Sequence, residues 1–247
     1  MNLRQQFLTK NNCYITGKKI IPQGIMIHST GAANPSLKRY IQPDDGLLGK
    51  NVHHNDWNQP MPAGQQVCVH AFIGQLADGT VATYQTLPWD MRGWHCAGGS
   101  KGSGNDTHIG FELAEDQLTD PVYFSQVYQE AVELCAMLCK SYGIKPEKPD
   151  LICHSEGYAL GIASNHGDVM HWFPRFSKSM DTFRADVQKI IAAPAAKTPE
   201  ETTVDNALAD GIITDRAHWL GVLTGTVTPN RANIKTLMDN AHKQLTR

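Results

Sequence analysis

The chain has no apolar run approaching the roughly 18 residues needed to span a bilayer. It opens Met1-Asn2-Leu3-Arg4-Gln5-Gln6, without the apolar segment of a secretory signal, so synthesis in the cytoplasm is expected. Neither sign of charge is in excess: 22 Lys and Arg stand against 24 Asp and Glu. That balance excludes a basic field for sequence-independent nucleic-acid binding. No CxxC, no four-cysteine zinc spacing and no HExxH occurs. The six cysteines are read as reduced, buried small hydrophobes, because a chain of 247 residues needs no disulfide framework. Internal repeats and low-complexity tracts are also missing.

What is present is a globular composition, 41% hydrophobic and 19% charged, enough for one packed domain with a small appendage. Histidine is abundant: 11 in all, nine of them before Arg175, a first pointer to metal chemistry.

Residues 1–193 pattern as one α/β unit, a central mixed sheet flanked by helices. Strands are expected at Gly24–Ser29, Val67–Gln75, Thr80–Gln85, His108–Leu113 and Leu151–His154, with a hairpin at Asp78-Gly79. Asn34–Ile41 opens with Asn-Pro and predicts a helix. Tyr123–Tyr142 is the clearest helix: Phe124, Val127, Ala131, Leu134 and Leu138 form one apolar stripe, and Gly143 stops it. Met180–Ala192 predicts another. The Pro- and Thr-containing stretch Ala193–Thr203 reads as a linker, 194–203 in the main. Three short helices follow in 204–247, over Val204–Asp210, Asp215–Thr224 and Asn230–Leu245. So small a piece has little core and must dock, pair with another copy, or be marginal in stability.

The strands place polar side chains on chosen faces, because alternate residues point to opposite sides. His28 shares a face with Met26 and ends its strand. Glu112 shares a face with His108 and Gly110, opposite Ile109, Phe111 and Leu113. His154 ends another strand. Catalytic zinc takes three protein ligands and leaves a position open. Two histidines therefore need a third group, and the Gly-containing segment after His154 can return either Asp168 or His166. His154-Ser155-Glu156 matches the HxE of zinc deaminases, but no PCxxC follows.

In this order, Ile25-Met26-Ile27-His28-Ser29-Thr30, His70-Ala71-Phe72-Ile73-Gly74, Gly93-Trp94-His95, Asn105, His108-Ile109-Gly110-Phe111-Glu112-Leu113 and Cys153-His154-Ser155-Glu156 form a specific set. The chain resembles the zinc-dependent N-acetylmuramoyl-L-alanine amidases that include phage endolysins and peptidoglycan recognition proteins. The resemblance spans roughly Gly24 to Phe176. It implies a mixed sheet under a substrate groove with one zinc ion. It also implies His28 and His154 as ligands, with Asp168 third and His166 its competitor. Asp168 follows His154 after a longer segment than is usual, and His166 stands where a lysine is common. Glu112 matches a carboxylate used as general base. His70 falls where phage members have a catalytic tyrosine, so His70 or His166 is expected to stabilise the oxyanion. Trp57, Trp94, His95, Asn105 and Trp172 are expected to bind substrate.

The implied reaction is hydrolysis of the amide between N-acetylmuramic acid and L-alanine in peptidoglycan, with zinc polarising the carbonyl and activating water. The competing readings are a non-catalytic peptidoglycan-binding module and a zinc peptidase cutting within the stem peptide. A wall hydrolase without a leader suits an endolysin, or an autolysin exported by another route. Residues 204–247 are then a wall-binding or dimerising appendage.

Overall fold

The computed structural model describes residues 1–193 and 198–246. Pro194 to Lys197, within the expected linker, lie outside the described residues. The chain divides into two compact units, Met1–Ala192 and Ala193–Arg247.

The first unit is built on six strands: β1 (Leu3–Gln5), β2 (Gly24–Ser29), β3 (Ala71–Gln75), β4 (Val81–Gln85), β5 (His108–Leu113) and β6 (Leu151–Cys153). They form one sheet in the order β1-β4-β3-β5-β2-β6. Only β3 and β4 pair antiparallel; β3-β5, β5-β2, β2-β6 and β1-β4 are parallel. The mixed sheet flanked by helices is the expected architecture.

One face is dry. Ile25, Ile27, Ala71, Ile73, Ile109, Phe111 and Leu113 pack against the helices α2 (Pro121–Tyr142) and α4 (Met180–Ala192), which follow α1 (Asn12–Thr16) and α3 (His154–Leu160) in the numbering. The predicted stripe on α2 is wholly buried there, its Phe, Val and Leu side chains each contributing about 1.5–3 kcal/mol. Asp120 caps α2 by accepting from the Val122 and Tyr123 amides, Pro121 occupies its first turn, and Gly143 ends it at φ 68°.

The other face is covered unevenly. Phe72, Ala82 and Tyr84 are roofed by Leu37, Tyr40, Ile41 and Leu48 from the long connection between β2 and β3. At the other end Met26 and Ile152 pack with Cys96 and Ala163, edged by the half-buried Leu160 and Ile162. Across the middle, Phe72, Glu112 and His28 are register neighbours on β3, β5 and β2. The incomplete roof leaves the last two at the floor of a cleft.

Two expectations need correction. Residues 34–41 contain only a short 3-10 turn, Leu37–Arg39. The Pro35 carbonyl accepts from the Gln75 amide at 2.7 Å, and Leu37, Tyr40 and Ile41 must all face inward, so tertiary contacts override the local helix signal. The chain beyond Gln42 is also turned out of helix by Pro43. Conversely, α5 (Pro199–Ala209) starts inside the expected linker. Thr198 and Glu201 form a capping box, the Glu201 amide reaching Thr198 Oγ1 at 3.1 Å and the Thr198 amide reaching Glu201 Oε2 at 2.9 Å.

The second unit adds α6 (Arg216–Leu223) and α7 (Arg231–Leu245). Its buried large hydrophobics are Val204 and Ile213, while Ile234, Met238 and Leu245 of α7 are exposed. Among the described residues no helix is long and apolar enough to cross a membrane.

Candidate metal centre

His28 and His154 come from adjacent parallel strands. His28 is the fifth residue of β2, and His154 stands at the junction where β6 turns directly into α3. That helix replaces the expected loop. Glu156 fixes its start: the carboxylate accepts from the Cys153 amide at 3.2 Å and is gripped by Arg184 at 3.0 and 3.2 Å. The HxE match is therefore a helix cap. Asp168 follows on a 3-10 turn, Asp168–His171, and holds φ at 39°. A non-glycine residue in this left-handed region stores backbone strain of order 1–3 kcal/mol, which here aims its carboxylate at the two histidines.

The three ligand atoms converge. His28 Nδ1 and His154 Nδ1 are 3.0 Å apart, and Asp168 Oδ2 lies 2.7 Å from the second and 3.3 Å from the first. All three lie within 4.8 Å of one another. A tetrahedral zinc with bonds of about 2.0–2.1 Å separates its ligands by about 3.4 Å, so the cluster fits such an ion with small adjustments. The donor set, two imidazoles and one carboxylate, is also the borderline type zinc prefers. Burial pushes the His28 imidazole below its ordinary value. Burial also acts to raise the Asp168 carboxyl, but hydrogen bonds with His154 and His28 outweigh it and hold Asp168 well below the carboxylate range. A neutral imidazole beside an ionised carboxylate is what a cation requires.

Glu112 stands beside His28 in register, one strand spacing away of about 4.8 Å. Among the described residues, its Oε2 is buried with no hydrogen-bond partner. Burial, then the charges of Asp168 and Glu115, push this carboxyl well above the usual range. His166 is exposed at the cleft, its Nδ1 3.0 Å from Ser164 Oγ, which also lies 3.3 Å from His154 Nε2. Ser164 thus bridges a ligand histidine to His166. A second brace joins Glu115 to His171 at 2.9 Å and to the Gly31 amide at 3.2 Å, clamping the Asp168 turn to the loop after His28. Neither brace was foreseen. A serine or glutamate has no spacing signal when its partners come from other segments.

Several expected residues lie elsewhere. His70 is fully buried outside the cleft: Nε2 donates to the Met91 carbonyl at 2.6 Å and Nδ1 accepts from the Gly110 amide at 3.0 Å. Burial lowers it to about 4. With both nitrogens used, it has no donor for an oxyanion, which corrects the catalytic expectation. Trp172 is fully buried against Tyr123 and Phe124, a core residue on the helical side. Hydrophobic burial between α2 and the turn outweighs any groove role. Asn105 is also fully buried. Its Oδ1 accepts from the His95 amide at 2.8 Å and its Nδ2 donates to the Ala97 carbonyl at 2.8 Å, so it shapes the 95–97 segment without reaching substrate. His95 borders the cleft, but both its ring nitrogens are bound, to His28 and to the His108 carbonyl.

Trp57 and Trp94 do line the cleft, with Gln65 and the ligand cluster, in a volume of about 350 Å³. A larger hollow of about 640 Å³ lies between α2 and α4. There Asp186 pairs with both Lys178 and Lys189, at 3.0 and 2.8 Å.

The sequence profile described as N-acetylmuramoyl-L-alanine amidase matches residues 17–171. The chain is similar in fold to a mutant endolysin from Bacillus subtilis, at 22% identity and TM-score 0.50, over 76% of this chain and 99% of that one. It is similar to the PlyG catalytic domain at 17% identity and TM-score 0.53, over 80% and 100%. It is similar to the Staphylococcus aureus hydrolase AmiA, determined with its ligand, at 19% and 0.52, over 77% and 83%. No curated protein matches it in sequence.

Proposed function

The chain belongs to the N-acetylmuramoyl-L-alanine amidase family, and on that premise we propose how its own residues perform the family's reaction. It is a zinc-dependent hydrolase of the amide between N-acetylmuramic acid and L-alanine in peptidoglycan. The observation that supports this reading best is the meeting of His28, His154 and Asp168 beside the unpartnered carboxylate of Glu112.

His28 Nδ1, His154 Nδ1 and Asp168 Oδ2 would hold the zinc, which supplies a Lewis acid for the scissile carbonyl and the attacking water. Glu112 Oε2 takes one proton from that water as its oxygen bonds to the carbonyl carbon. It returns the proton to the alanine nitrogen as the C–N bond breaks. His166, with Nδ1 tied to Ser164, directs Nε2 toward the carbonyl oxygen as negative charge develops there. Trp57 and Trp94 flank the cleft and offer apolar faces to the glycan and the lactyl-peptide junction.

Digestion of purified cell walls with the zinc-loaded chain is expected to release new amino termini that are all L-alanine. A different terminal residue would mean a peptidase, and no release would mean a binding module.

An endolysin role, the word used for the similar Bacillus subtilis protein, fits a hydrolase acting on the wall. The second unit is read as the wall-binding part, or as the seat of a homodimer, since α7 leaves Ile234, Met238 and Leu245 uncovered. Ending the chain after Ala193 is expected to leave cleavage of soluble muropeptides unchanged while binding to intact walls weakens by about 10–100-fold. Light scattering on the same pair of proteins reads the dimer; unchanged wall binding and an unchanged number of chains per particle would remove both roles.

A further inference from the structure

We infer that His95 is a positioning residue for the metal centre: it holds His28 as the tautomer whose Nδ1 lone pair faces Asp168 and His154. The inference rests on the zinc reading above but concerns a contact outside the ligand set. His28 Nε2 lies 2.9 Å from His95 Nδ1, and His95 Nε2 lies 3.2 Å from the His108 backbone oxygen. A carbonyl oxygen only accepts, so His95 carries its proton on Nε2. Neutral His95 then presents a lone pair on Nδ1, which accepts the Nε2 proton of His28. Asp168 Oδ2 competes for a proton on His28 Nδ1, but it is farther away, at 3.3 Å, and already takes a proton from His154 Nδ1 at 2.7 Å, so the shorter contact to His95 holds the proton on Nε2 and leaves Nδ1 unprotonated toward the ligand cluster. One backbone carbonyl on β5 thus sets two tautomers in series.

The neighbouring residues make room for this chain of hydrogen bonds. A Cβ at Gly110 would lie 2.4 Å from His95 Cγ and Nδ1, so no side chain is tolerated beneath the ring. A Cβ at Gly93 would lie 2.9 Å from the Cys68 carbonyl oxygen and 3.2 Å from His95 Cδ2. Asn105 Oδ1 grips the His95 amide. Gly93, His95, Asn105, His108 and Gly110 therefore act as one support for His28. His154 has a counterpart in Ser164, but a hydroxyl can donate or accept and so imposes no tautomer.

The test uses the full chain with His95→Phe, which fills the space but cannot accept, and His95→Asn, whose amide oxygen falls near the position of Nδ1. In metal-free protein labelled with 15N-histidine, His28 is expected to show a protonated Nε2 and a bare Nδ1 in the wild type and in His95→Asn. His95→Phe is expected to show a mixture of tautomers. Zinc affinity, measured by competition with a chelator, is expected to fall about 10–100-fold in His95→Phe and to recover to within a few-fold in His95→Asn. Unchanged His28 signals and unchanged affinity in His95→Phe would overturn the inference. The tautomer is read without metal, so failure of the wild type to bind zinc defeats the zinc reading and leaves the His28 result to be judged on its own.

Discussion

Glu112→Gln is expected to bind zinc as the wild type does and to lose about 10²–10⁴-fold in kcat. The two side chains have the same shape, so β5 and its register with β2 are preserved. What changes is one atom at the buried position of Oε2: an oxygen that can take a proton becomes an amide that cannot. Equilibrium zinc titration and turnover on muropeptide, measured on the same preparation, separate the two effects. Loss of zinc together with activity would move Glu112 into the ligand set, and full turnover would remove it from the reaction.

The same substitution has a pH signature. Burial raises the Glu112 carboxyl well above its ordinary value of 4.5. A general base works only when ionised, so activity falls toward acid as Glu112 is protonated, and this acid limb disappears from the residual rate of Glu112→Gln. Stability moves the other way. A carboxyl with a higher pKa folded than unfolded supports the fold at low pH, and that support is lost as pH rises from about 4.5 through the folded value. Metal-free Glu112→Gln is therefore expected to melt higher than the wild type at neutral pH, with the gap closing toward acid. An unpartnered buried carboxylate is thus kept at a cost to the fold, as reactive groups often are.

How much of this was legible depended on the range of the determining contacts. His28 and Glu112 could be placed because strand parity is local, and the parallel register of β2 and β5 then makes them neighbours. The stripe on α2 was legible for the same reason. Trp172 and Asn105 were not: motif position says nothing about which side of the sheet a residue meets, and one lies in the helical core while the other braces a turn. His70 illustrates the same limit. The Met91 carbonyl that occupies its ring arrives from 21 residues away. The 34–41 segment and the start of α5 failed in opposite directions. In the first, tertiary burial defeated a helix start; in the second, a capping box hid in a Pro- and Thr-rich stretch.

The third ligand carries the other large expected effect. Asp168→Asn is expected to weaken zinc by about 10²–10³-fold, since a total of about 10–16 kcal/mol in four-ligand structural sites divides into about 2.5–4 kcal/mol per ligand. His28→Ala is expected to do at least as much, because it removes a buried ligand and the acceptor's partner at His95 together. His166→Ala is expected to keep zinc and to lose about 10²–10³-fold in kcat, the scale of losing one oxyanion donor. The geometry orders the two candidates. Asp168 Oδ2 lies 2.7 and 3.3 Å from the ligand nitrogens, whereas His166 meets Ser164 through Nδ1 and is exposed. Asp168 also holds a strained backbone and an ionised carboxyl aimed at His28 and His154, as a ligand to a shared cation requires. Zinc content after dialysis decides the matter: retention in Asp168→Asn with loss in His166→Ala would exchange their roles, and with them the source of the oxyanion donor.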